Sequence, residues 1–163
     1  MFLGRAARPR CFKNIDLKKL PVRWCSNKTA WMTAKLFTDW LVDVNRMLKQ
    51  QQRNILLCLD HAPCHPTDIS LSNIELLFFP ANTTSLSQPL DQGVIHVFKI
   101  QYRKCLVKHI IARCSTARSV EDIVISALDA VNWIDLSWRL VTQATIQHTF
   151  RAAGKVTTDQ NSS

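Results

Sequence analysis

Two aspartates in a stretch free of lysine and arginine are the residues best placed to do chemistry. Asp60 ends the apolar run ILLCLD, Asp91 follows a second apolar run, IELLFF, and residues 61–90 separate them. Carboxylates are hard oxygen ligands, and Mg²⁺ or Mn²⁺ is commonly held by one or two of them with water and phosphate completing the shell. Separately, each has an ordinary structural explanation. Aspartate is a turn former after a strand, and an aspartate opening a helix is stabilised by the helix dipole. A rival metal chemistry lies in Cys58, His61, Cys64 and His65, whose residue types suit zinc. Their spacing does not: Cys64 and His65 are adjacent, Pro63 stiffens the connection, and structural zinc sites draw on two separated ligand pairs. Packed thiols and turn histidines are the better reading of that cluster, with His65 placed to orient a carboxylate or meet a phosphate.

The elements around these residues follow from periodicity. Phe37, Trp40, Leu41, Val44, Met47 and Leu48 recur at spacings of three and four, which predicts an amphipathic helix from Thr33, its N-cap, to about Gln51. Ile55–Leu59 and Ile74–Phe79 are short continuous apolar runs, the pattern of paired parallel strands covered on both faces. PANTTSLSQP, residues 80–89, is a loop by composition. From Asp91 the stripe Asp91, Ile95, Phe98, Tyr102, Cys105, His109 predicts a second long helix. Ser119 and Asp122 have capping-box spacing ahead of Ile123, Ala127, Ala130 and Ile134, and a last helix holds Ile146 and Phe150 before Gly154. The tail after Gly154 is predicted to be disordered. The alternation indicates an α/β layer, in which sites form at the carboxyl ends of strands. Asp60 occupies such an end.

Length and charge limit the function classes. A chain of 163 residues suits one domain with a core, and no run of about 18 apolar residues predicts a membrane span. The first ten residues have too short an apolar segment for a signal peptide. The six cysteines are scattered and read as thiols. Net charge is +9, and it is unevenly placed. Residues 1–28 carry eight Lys or Arg against Asp16 alone, and residues 99–118 carry Lys99, Arg103, Lys104, Lys108, Arg113 and Arg118 with no acid. Residues 54–98 hold Asp60, Asp68, Glu75 and Asp91 and no base. An acidic centre between basic flanks suits a cation in the middle and phosphates at the edges, so DNA is the expected partner.

The segments NKTAWMTAKLFTDWL (27–41), NILLCLDHAPCHP (54–66), IELLFFPANTTSLSQPLDQGVIHVFKIQYRK (74–104) and, more loosely, TIQHTFRAAG (145–154) resemble the DDE endonuclease domain of pogo/Tigger-type transposases of the mariner superfamily, with Jerky and centromere protein B relatives. The resemblance implies an RNase H-like fold over residues 1–154, with 155–163 a disordered tail. It also implies three acidic residues binding divalent metal, Mg²⁺ or Mn²⁺, for DNA hydrolysis and strand transfer. Asp60 matches the family's second acid and Asp91 its third, both as catalytic metal ligands, while Gln88, Pro89 and Gly93 match the segment that places Asp91. His61 stands where the family more often has asparagine. The family's first aspartate belongs upstream of the region that FLGRAARPRCFK resembles, and Asp16, in KNIDLKKLP, does not match it. The expected site and sheet are therefore incomplete, lacking one acid and most of the first three strands. The expected function is DNA binding in the nucleus by a transposase-derived domain without cleavage activity of its own. The alternatives are an active nuclease completed by an upstream segment or another subunit, and a protein-interaction module. Homodimers or other protein partners are compatible with all three, and no membrane is involved.

Overall fold

The structure, a computed structural model, describes residues 1–80 and 88–154. The tail expected to be disordered and all but the ends of the expected 80–89 loop lie outside the described residues. The chain divides into two compact units, residues 31–88 and residues 1–30 with 89–163.

In the first unit, helix α1 (Ala34–Gln50) starts where expected, with Thr33 Oγ1 accepting from the Leu36 N–H at 3.3 Å. Its end uses a device that no glycine announced. Gln52 adopts φ +52°, and the Gln52 and Arg53 N–H groups return to the carbonyls of Lys49 (3.2 Å) and Leu48 (3.0 Å). That is a Schellman closure built on a non-glycine residue.

Two strands follow, numbered β3 and β4 by chain order: β3 (Ile55–Leu59) and β4 (Ile74–Phe78). They pair in parallel with Ile55 opposite Ile74 and Leu59 opposite Phe78. Residues 60–73 make the crossover. Asn73 clamps it: its N–H donates to Asn45 Oδ1 (2.8 Å), its side-chain amide donates to Arg53 O (3.0 Å) and Asn54 Oδ1 (2.8 Å), and its carbonyl accepts from Ile55 (3.0 Å). The core is Phe37, Leu41 and Leu48 of α1 against Leu59 and Ile74. Among the described residues the strands are covered on one face only, contrary to expectation, for Leu56 and Leu77 are 54% and 45% exposed. An uninterrupted apolar run reports strand character but not how many layers will pack on it.

In the second unit the basic N-terminal segment forms a short parallel pair, β1 (Phe2–Gly4) with β2 (Trp24–Ser26). Aromatic packing holds it. Trp24 stacks on Phe2 at 5.3 Å and meets the fully buried Phe12 edge-on at 4.9 Å. A Cβ at Gly4 would run into the Trp24 ring, so only glycine permits this approach. The Arg8 guanidinium donates to the carbonyls of Phe12, Lys13 and Ile15, and Asp16 caps a turn by accepting from the Lys18 N–H at 3.0 Å. Asp16 is thus a structural cap.

The helices of this unit are α2 (Ile95–Cys114), α3 (Ala127–Arg139) and α4 (Gln143–Ala152). A kinked turn, Leu90–Val94, whose backbone departs from helical geometry at Gly93, precedes α2, so the regular helix begins four residues after Asp91. Phe98, Tyr102 and His109 on the inner face of α2 pack against Trp138 and Trp133 of α3, with ring centroids 5.2–6.4 Å apart. Ser119 and Asp122 do form a capping box, but it closes only a 3₁₀ turn, Val120–Asp122. The helix starts at a second box, Ser126 with Asp129, where Oγ accepts from the Asp129 N–H (3.1 Å) and Asp129 Oδ2 accepts from the Ser126 N–H (2.9 Å). Three β-branched residues, Ile123, Val124 and Ile125, separate the two starts. As expected, Gly154 follows α4, at φ +66°.

Three stability outcomes follow. Leu41→Ala empties a fully buried site and should cost about 2–5 kcal/mol in chemical denaturation. Gln52→Gly removes the left-handed strain at the end of α1 and should add up to about 1 kcal/mol in the same measurement. The Asp129 carboxyl is held below its ordinary range by the Ser126 hydroxyl and then by the Ser126 N–H. Its stabilising contribution is therefore complete above the unfolded-state pKa and is lost as pH falls through the lower folded-state value. Ser126→Ala should cost about 1 kcal/mol at neutral pH and reduce the acid-side loss of stability, read from melting curves between about pH 2 and 6.

Candidate functional site

Strand β3 delivers its last buried residue, Leu59, with the Leu59 carbonyl accepting from the Phe79 N–H at 2.8 Å. Asp60 comes next, so its backbone is fixed by a hydrogen-bonded strand on one side. A tight turn fixes the other side. The Ala62 N–H donates to Asp60 Oδ1 at 3.3 Å, and the His65 N–H donates to Ala62 O at 2.9 Å. Pro63 and Pro66 restrict the same loop further.

His65 completes the arrangement. Its Nδ1 lies 2.9 Å from both the backbone oxygen and Oδ1 of Asp60, so a proton on Nδ1 bridges the two. The ring packs at 4.4 Å from the Phe37 ring of α1, and the His65 side chain is only 16% exposed. Asp60 remains open by comparison, at 36%. Its Oδ2 has no hydrogen-bond partner among the described residues. The result is a carboxylate with one oxygen oriented by histidine and backbone, and the other available to a cation or a proton donor.

Asp91 belongs to the second unit. It is exposed in the first turn of the kinked segment Leu90–Val94, where the positive end of the local peptide dipoles favours a negative charge. Pro89, buried, precedes this turn, and α4 packs against it: a Cβ at Gly93 would lie 3.0 Å from Thr149 Cγ2. Two of the residues expected to place Asp91, Pro89 and Gly93, thus sit at its turn, and Gln88 is half-buried just before it. Asp60 and Asp91 lie in different units, and each is described within its own.

The cysteine and histidine cluster is distributed among packing roles. His61 stacks on Phe78 at 5.2 Å, His65 serves Asp60, and Cys58 and Cys64 are half-buried free thiols. Among the described residues no group of three or more His, Cys, Asp or Glu side chains is gathered so as to hold a metal. Each of the two aspartates by itself suits one coordination position of a hard divalent ion. A centre of three acidic ligands is not assembled from the described residues. The aromatic interlock of Phe98, Tyr102, Trp133 and Trp138 was not foreseen; the inner stripe of α2 predicted a packed face but not its aromatic partners.

Comparison with known proteins agrees with these motifs. The chain is 40% identical to Tigger transposable element-derived protein 4 of Mus musculus over 94% of its own length and 29% of the relative's. It is 34% identical to Tigger transposable element-derived protein 7 of Homo sapiens, over 63% of the chain and 21% of the relative. ARS-binding protein 1 of Schizosaccharomyces pombe is 25% identical over 93% of the chain and 31% of the relative. The chain thus spans less than a third of the length of each of these relatives. No solved structure matches it. Residues 1–150 match the family described as DDE superfamily endonuclease, and the chain belongs to that family.

Proposed function

We propose that residues 1–154 are a transposase-derived DDE domain of RNase H-like architecture that contacts DNA in the nucleus through its basic segments. In this reading Asp60 and Asp91 are the second and third acids of an ancestral metal-dependent endonuclease and strand transferase. The observation that carries it is the setting of Asp60: a carboxylate at the carboxyl end of a parallel strand, held through Oδ1 by His65 and open at Oδ2.

The divalent ion of this chemistry is Mg²⁺ or Mn²⁺, to which Asp60 and Asp91 would each be able to offer a carboxylate oxygen, and when bound it would polarise a DNA phosphate and lower the pKa of bound water. The chain's own contribution is orientation. His65 and the Ala62 N–H keep Oδ1 turned inward, which leaves Oδ2 facing outward without a search over rotamers. Within these residues only two of the family's three acids are matched, so this stretch by itself binds DNA without cutting it. DNA contact is supported by the eight bases of residues 1–28 and the acid-free run 99–118, and by a relative whose name records ARS binding.

Duplex DNA titrated against the chain should bind with an affinity that falls about 10³-fold between roughly 50 and 200 mM salt, the loss expected for about six phosphate contacts. Supercoiled plasmid should stay intact with Mg²⁺ or Mn²⁺. Weak binding indifferent to salt would remove the DNA reading, and cleavage abolished by Asp60→Ala would remove the inactive one.

A further inference from the structure

Helix α2 carries apolar side chains on two opposite faces. The inner face, Phe98, Tyr102 and His109, is occupied by the tryptophans of α3. On the outer face Ile100, Val107 and Ile111 are 37%, 51% and 66% exposed. Their spacing of seven and four residues puts them in one stripe along the helix. Arg103 borders it on one side and Lys104 and Lys108 on the other, and these residues with Ile100 and Val107 line a shallow hollow of about 440 Å³. Arg103, Lys104 and Lys108 make no ion pair among the described residues, and no acid occurs between residues 92 and 120.

A narrow aliphatic seam with charged flanks is the surface that a helix presents to another helix. We propose that this face of α2 docks an acidic amphipathic helix of a partner protein, its leucine-type residues covering Ile100, Val107 and Ile111 and its carboxylates pairing with Arg103, Lys104 and Lys108. This goes beyond the DNA-binding reading, although the two share basic residues. Charge complementarity selects the occupant. A second copy of α2 would bring the same positive charges into contact, which is repulsive. A phosphate backbone would pair with the bases but leave the aliphatic seam without a partner. Membrane-surface helices expose broad faces with aromatic residues, whereas the aromatic residues of α2 face inward.

The test uses the whole chain and a synthetic helical peptide with leucine at heptad positions a and d and glutamate at e and g. The comparison probes are the same peptide with lysine for glutamate, duplex DNA, and phosphatidylserine vesicles. The acidic peptide should bind, and the lysine peptide should not. Both Val107→Ser with Ile111→Ser and Lys104→Glu with Lys108→Glu should weaken peptide binding about tenfold or more, at unchanged helix content by circular dichroism. The serine pair should leave DNA affinity unaltered, so failure here is separable from failure of the DNA reading. The proposal is overturned by no binding of the acidic peptide, by equal binding of the lysine peptide, or by a serine pair that leaves peptide affinity intact. It is equally overturned if the serine pair weakens DNA or vesicle binding instead.

Discussion

The packing of α1 across one face of the β3–β4 pair is the contact on which the candidate site depends. A two-stranded parallel sheet has little stability of its own, because its hydrogen bonds merely replace bonds to water. Burying Phe37, Leu41 and Leu48 against Leu59 and Ile74 supplies the driving force. Phe37 serves twice: it belongs to this core and also supports the His65 ring, which in turn orients Asp60. Hydrophobic burial and carboxylate orientation are therefore coupled through one side chain. A change in the core of this unit is felt at Asp60 even where no polar group is altered.

In the second unit aromatic side chains take the place of a broad aliphatic core. Trp24 joins β1, β2 and Phe12, and Trp133 and Trp138 join α3 to α2. Large rings bury much area per residue, which suits a unit with short strands and few fully buried positions. Val94 and Val131 are fully or nearly fully buried, and so is Ser137, whose hydroxyl has no hydrogen-bond partner among the described residues. Such a group costs about 1–3 kcal/mol relative to a satisfied one. The fold tolerates that cost at a fully buried position of α3.

Charge follows a different logic from packing. Residues 54–98 exclude Lys and Arg, and Asp60 and Asp91 both fall within that stretch. Many of the bases lie in the turns that connect β1 to β2, from Arg5 to Arg23, and on α2. Few of them are neutralised internally; Arg8, for instance, is spent on backbone carbonyls rather than on an acid. Positive potential on the surface is thus retained for partners, a property of solvation and association rather than of fold stability.

The sequence by itself determined the features that depend on local periodicity and local chemistry. Helix α1 with its Thr33 cap, the apolar runs Ile55–Leu59 and Ile74–Phe79 that form β3 and, one residue shorter, β4, the helical stripe after Asp91, the terminal Gly154 and the family motifs around both aspartates were all legible, because each is written in neighbouring residues. Tertiary structure alone decided the rest. The start of α3 was not legible from the Ser119 box, because a second box with the same local chemistry, Ser126 with Asp129, is the one that opens the helix, ahead of the fully buried Val131. The Trp24 ribbon joins positions some twenty residues apart through a glycine that leaves room for an indole, which no periodicity encodes. Leu56 and Leu77 read as covered, yet whether an apolar strand face is covered depends on what else packs there, a property of the assembled layers. The bridge from His65 to Asp60 was an available role among several in the sequence, and it became specific when Phe37 closed the space behind the ring.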